Sequence, residues 1–204
     1  MRETTVKTRW GIVGLLLAAA GSVLGALSPT ETVRQTADRV IEVLKDQTLE
    51  REVKWRQVGD IVAERFDYRS MSQSVLATNW QQASPEEKRQ FIEYFSQYLE
   101  DVYREKIEMY TNQHVEYLQE RVTGDRAVVD TVIVTDNTQI PVTYRLKDND
   151  GEWYAYDVII ENVSLVSNYR STFAAILDSQ GIDGLLNDLQ SKIAAYKSER
   201  GIDE

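Results

Sequence analysis

Catalysis needs side chains that titrate or attack, and this chain offers few of them. His114 is the only histidine and there is no cysteine. An imidazole at 114 therefore has no second His or Cys with which to hold a metal, and a solvated or structural role suits it better. Ser164 lacks a Gly-x-Ser-x-Gly context and a partnered histidine, so it reads as a helix cap rather than a nucleophile. Asp148, Asp150 and Glu152 resemble a cation loop, but Leu146 falls where the first ligand of an EF-hand would stand, and a turn is the better reading. Asn162-Val163-Ser164 is a glycosylation sequon by pattern only. Arg145, Asp157 and Arg170 are charged residues set among apolar ones. Parity puts Arg145 and Asp157 on the outer face of paired strands, as an ion pair. Arg170 could stand at a pocket mouth and neutralise a phosphate, although a structural role is preferred for all three. No catalytic residue and no metal site is expected.

The elements that would position these residues are clearest between 141 and 173. Ile140, Val142, Tyr144 and Leu146 alternate along one strand, and Tyr154, Tyr156, Val158 and Ile160 along the next, on either side of Asp-Asn-Asp-Gly. A register with Arg145 opposite Trp153 would set Tyr144 beside Tyr154 and Val142 beside Tyr156, an apolar and aromatic surface that needs a cover or a guest. Two further strands, about 115–122 and 127–135, precede them and complete an antiparallel meander. Helices are expected over 31–47, 58–66, 71–80 and, from the start signal Ser84-Pro85-Glu86-Glu87, from 85 to about 110. After the strands, helices are expected over 164–179 and 183–198 with Gly181 between them. Helices, strands, then helices again is an α+β order: a curled antiparallel sheet of four to five strands packed by helices, a nuclear-transport-factor-2-like cone plus a helical subdomain.

The N-terminus carries Arg2, Lys7 and Arg9, then an uncharged stretch from Trp10 to Leu27. This is the form of a secretory signal over 1–27, with cleavage between 20 and 27, and the run is shorter than the roughly 20 residues that span a bilayer. An uncleaved anchor is the alternative. The remaining residues, 28–204, make one domain. Without Arg2, Lys7, Arg9 and Glu3, the 23 basic and 33 acidic residues become 20 and 32, a net charge of −12. Such acidity argues against nucleic acid, whose phosphates demand a basic stripe, and against adsorption to anionic lipid surfaces.

Pro141-Val142-x-Tyr144-Arg145-Leu146, Gly151-x-Trp153, Tyr156-Asp157-Val158, Val163-Ser164-Leu165, Asn168-Tyr169-Arg170-x-x-Phe173 and Gly181-Ile182-Asp183-Gly184-Leu185 fall in one order and spacing. This pattern resembles the MlaC family, the toluene-tolerance auxiliary proteins, over about residues 31–195. It departs at Asn162, where many members have Gly; Asn tolerates positive φ, so the corner can survive.

The resemblance implies a monomeric periplasmic carrier with no reaction of its own, holding a phospholipid by its acyl chains as cargo rather than cofactor. It would move the lipid between an inner-membrane ABC transporter complex with an MCE-domain subunit and an outer-membrane lipoprotein complex, so maintaining outer-membrane lipid asymmetry. A diacyl lipid has about thirty methylenes, each costing on the order of 0.8 kcal/mol in water, roughly 24 kcal/mol in all. Carriage thus requires a deep apolar cavity. Phe66, Val75, Leu76, Phe95, Leu99, Val142, Tyr144, Tyr156, Val158, Val163 and Leu165 are the residues expected to line it, with Arg170 as the candidate for its mouth or the headgroup. Two rivals stand beside the carrier. One is an enzyme of the same cone architecture acting on an apolar small molecule, for which His114 and Asp157 are the only acid–base candidates; the other is a structural adaptor whose interior its own side chains fill.

Overall fold

The computed structural model describes residues 27–108, 114–135 and 137–201. Apart from Leu27, the expected export signal lies outside them. Helix α1 (Pro29–Lys45) starts where sequence chemistry dictates, with Ser28 accepting from the Glu31 N–H at 3.1 Å and Pro29 in the first turn. Helix α2 (Arg51–Ala63) follows, then α3 (Tyr68–Leu76), which Asp67 caps by accepting from the Ser70 N–H at 2.9 Å. After the single turn α4 (Asn79–Gln82) comes the long α5 (Pro85–Glu108). Its capping box is closed in both directions: Ser84 N–H donates to Glu87 at 2.7 Å and Glu87 N–H donates back to Ser84 Oγ at 3.2 Å.

Strands β1 (His114–Thr123), β2 (Arg126–Val134), β3 (Gln139–Asn149), β4 (Glu152–Ile160) and the two-residue β5 (Val163–Ser164) form an open antiparallel sheet in sequence order. The final helix, α6 (Leu165–Glu199), is two helices joined at Gly181, whose φ of 67° and ψ of −164° break it where the sequence places a stop. Ser164 caps it, accepting from the Ser167 N–H at 3.1 Å.

The β3–β4 register differs from the one expected. Asp150 and Gly151, with φ of 55° and 87°, make a two-residue turn that sets Asn149 opposite Glu152. Arg145 therefore pairs with Asp157, Tyr144 with Val158 and Val142 with Ile160. A bulge then intervenes, because Leu146 pairs with Ala155 and leaves Tyr156 as the extra residue. One inserted residue reverses the alternation, so Val158 and Ile160 share the inner face with Ala155 and Trp153, not with Tyr154 and Tyr156.

Asp157, buried beside this bulge, ties the corner that follows. It accepts from Ser164 Oγ at 2.8 Å, from the Val166 N–H at 3.2 Å and from Arg145 at 3.3 Å. The turn between β4 and β5 has Glu161 at φ 49° and Asn162 at φ 68°. Asn162 thus occupies the left-handed region, which Asn tolerates better than most residues.

Two bodies of apolar side chains result. Helices α3, α5 and α6 enclose a solid aromatic core in which Phe91 stacks on Phe95 at 5.4 Å and Phe95 meets Tyr169 edge-on at 5.4 Å. The inner face of the sheet, with Val142, Leu146, Trp153 and Val158 buried upon it, packs instead toward α1 and α6.

Candidate functional site: an open apolar cavity

Between the sheet and the helices the second body does not close. The space there that admits the centres of water-sized molecules is about 300 Å³, and all the free volume between its walls, out through its opening, is about 1560 Å³. About thirty methylenes, each taken as roughly the size of a liquid water at 30 Å³, would need roughly 900 Å³, less than this free volume, part of which is open to solvent. Helix α1 contributes Val33, Ala37, Val40, Ile41 and Leu44 to the wall, and α2 contributes Trp55, Val58 and Val62. Phe66, Tyr68 and Met71 close one side, the later turns of α5 supply Leu99, Tyr103 and Ile107, and the sheet supplies Val115, Ile133, Val142, Tyr144, Leu146, Ala155, Val158 and Ile160, with Leu165 beyond it.

Six of the eleven residues expected in the lining are there: Phe66, Leu99, Val142, Tyr144, Val158 and Leu165. The other five are placed elsewhere, each for a physical reason. Val75, Leu76 and Phe95 belong to the solid helical core. Helix α5 is long enough to serve both bodies: its earlier turns pack on α3 and α6, Leu99 packs in that core and also borders the cavity, and Tyr103 and Ile107 follow it along the wall. Tyr156 is carried off the inner face by the bulge and lies 4.9 Å from the Arg126 guanidinium. Val163, on the tight corner before α6, is 54% exposed.

Arg170 is not at the mouth. Its Nε donates to the Ser74 carbonyl at 2.8 Å, joining α6 to α3. His114 is exposed and 3.3 Å from Glu116, while Asp157 is held by Ser164, Val166 and Arg145, so the two do not meet.

Val33, Ala37, Val40, Ile41 and Leu44 of α1 and Val58 and Val62 of α2 recur at helical spacing, while Trp55 lies ahead of the start expected at 58, because α2 begins at Arg51. Periodicity shows that a helix has a buried face; whether that face meets solid protein or open space is set by tertiary packing.

The electrostatics of the wall follow from the burial of its polar groups among apolar ones. Burial pushes the Tyr144 hydroxyl up to about 12. Tyr68 and Tyr103 are also raised, first by burial and then, at Tyr68, by the neighbouring charge of Glu100. Glu100 itself is raised, chiefly by burial and then by Asp101, against the opposing charge of Arg104. The other two ionised groups in the wall are paired: Arg104 donates to Glu52 at 3.0 Å and stacks over Trp55 at 5.1 Å, and Arg65 donates to Glu152 at 3.0 Å. Among the described residues no cluster of His, Asp or Glu could hold a metal ion.

A sequence profile of the MlaC protein family matches residues 34–191, most of the chain. The chain belongs to the MlaC family. It is similar to the intermembrane phospholipid transport system binding protein MlaC of Haemophilus influenzae, 27% identical over 122 residues that make up 57% of each chain. It is also similar to the toluene tolerance protein ttg2D of Pseudomonas putida, 25% identical over 198 residues, 94% of this chain and 90% of that one. Among solved structures, the phospholipid-binding protein of Ralstonia solanacearum, determined in complex with a phospholipid, superposes with a TM-score of 0.77 at 23% identity, covering 83% of this chain and 99% of that one. The likeness establishes a shared fold over most of both chains.

Proposed function

We propose that this protein is a periplasmic phospholipid carrier that shelters acyl tails in the cavity between the sheet and helices α1, α2 and α5. The observation that carries the reading is the cavity itself: an open space walled by aliphatic and aromatic side chains, inside a family whose similar members are described as phospholipid-transport and phospholipid-binding proteins. Tails that would cost roughly 24 kcal/mol in water are offset by such a wall and by little else. The same magnitude forbids spontaneous release on a useful timescale. Exchange would therefore take place while the carrier is docked, as a monomer, on an inner-membrane ABC transporter complex with an MCE-domain subunit and on an outer-membrane lipoprotein complex, serving lipid asymmetry. The chain's acidity, a net −10 over the full sequence, keeps it from adhering to anionic membrane surfaces between these encounters.

The carrier has no reaction of its own in this reading. An enzyme would need an acid and a base in the cavity, and its ionised groups are two paired arginines and one carboxylate. An adaptor filled by its own side chains is disfavoured by the open volume. Extraction of protein purified from its native host, followed by mass spectrometry, should yield about one phospholipid per chain. Protein that emerges lipid-free, and stays so after incubation with vesicles, would refute the proposal.

A further inference from the structure

The cavity wall is polar at one corner, where α2 and α5 face each other. There the Glu100 carboxylate lies against bare α2 backbone: a methyl group at Gly59 would stand 3.2 Å from Glu100 Oε2. Glu100 is the one residue of the lining that is exposed as a whole, while its carboxylate is still desolvated enough to be raised, which makes this corner the candidate for where the cavity reaches solvent. Among the described residues no hydrogen bond or ion pair reaches its carboxylate. Arg104, one turn further along α5, is held by Glu52 through Nη1 and stacks over Trp55, and among the described residues its other guanidinium nitrogens donate to no acceptor. Residues at i and i+4 of a helix face stand about 5–6 Å apart. An ammonium and a phosphate joined by a two-carbon link, as in a zwitterionic headgroup, have a comparable separation.

We propose that Glu100 reads the ammonium of the cargo headgroup, with the phosphate on the Arg104 side, so that the carrier prefers zwitterionic, amine-bearing phospholipids to net-anionic ones. The inference rests on the carrier reading and deepens it. Tails entering the cavity displace water from the corner, and a carboxylate that loses its water needs a counter-charge or a proton. An amine supplies the counter-charge. A headgroup without one sets its own phosphate charge near a carboxylate that Asp60 and the Arg200-paired Asp101 already repel, with Arg104 as the one opposing charge.

The test loads delipidated protein from vesicles of equal parts phosphatidylethanolamine and phosphatidylglycerol, then counts lipid per chain and headgroup ratio by mass spectrometry. The wild type should be enriched about fivefold in the ethanolamine lipid, the size of a partly exposed charge-assisted contact. Glu100→Gln should bring the ratio close to one without lowering lipid per chain, and Glu100→Lys should reverse it. Wild-type protein that fills but takes both headgroups equally overturns this inference alone, whatever the variants do. Protein that takes up no lipid at all overturns the carrier reading and this one with it.

Discussion

Val142→Glu and Val163→Glu make a matched pair, because both place a carboxylate in the family motif but on opposite sides of the wall. Val142 is 4% exposed and lines the cavity, whereas Val163 is 54% exposed on the β4–β5 corner. A glutamate at 142 can remain ionised in the lipid-free cavity by keeping water around it. Once tails enter, that water occupies the place of about four methylenes, at about 0.8 kcal/mol each, a loss of roughly 3 kcal/mol. Protonating and burying the acid instead costs a similar amount for an unpaired polar group. Either route lowers lipid affinity more than about a hundredfold. The assay is phospholipid per chain after native purification, with thermal unfolding of each variant as the control for folding. The expected result is a folded Val142→Glu protein nearly free of lipid and a Val163→Glu protein loaded like the wild type. A folded Val142→Glu protein carrying wild-type lipid, or a Val163→Glu protein stripped of it, would refute the placement of the cavity.

Further outcomes follow from the polar contacts that hold the frame. Asp157→Ala leaves the buried Val166 N–H and the Ser164 hydroxyl without their acceptor and should lower unfolding stability by about 2–4 kcal/mol in urea titration; an effect under about 0.5 kcal/mol would show that the corner does not depend on it. Asn162→Val forces a β-branched residue to φ 68° and should cost about 1–2 kcal/mol, while Asn162→Gly should be near neutral by the same measurement. Burial works to raise the Asp67 carboxyl, but Lys147 and Ser70 outweigh it and hold the carboxyl below its usual range. A depressed folded-state value means that this contribution is complete above the unfolded value of about 3.9 and is lost as pH falls through the lower folded one. Thermal midpoints should therefore drop in that acid window, and Asp67→Asn should flatten part of the drop; an unchanged acid limb in the variant would count against the contact.

Much of the fold was legible because local chemistry and global structure agree. Ser84 with Glu87 and Ser164 each begin a helix, and Gly181 breaks α6, where the sequence indicates, whereas Ser28 and Asp67 cap α1 and α3 a few residues before the starts expected at 31 and 71. The strands follow from alternation and from turn residues able to take positive φ. What the pattern could not show is where alternation slips. The bulge at Tyr156 leaves every residue type unchanged and reverses the face on which each lies, which carries Tyr156 off the inner wall.

The cavity was half legible for a related reason. Leu99 and Phe95 are both apolar, one turn apart on the same stripe and packed in the same core, yet only Leu99 also borders the open space. Hydrophobicity reports removal from bulk water and is blind to whether the neighbour is protein or vacancy. Glu100 leaves no mark in the apolar spacing because it is a carboxylate. Its position opposite Gly59 emerges only when α2 and α5 are brought together.

The central claim is that hydrocarbon tails lie between the sheet and α1, α2 and α5. Crystals of protein loaded with a phospholipid brominated along its acyl chains test it directly, since anomalous scattering locates each bromine. The account predicts bromine peaks inside the volume bounded by Phe66, Leu99, Val142, Tyr144, Val158 and Leu165. Bromine confined to the outer surface, with that volume empty or collapsed in lipid-loaded protein, would contradict it.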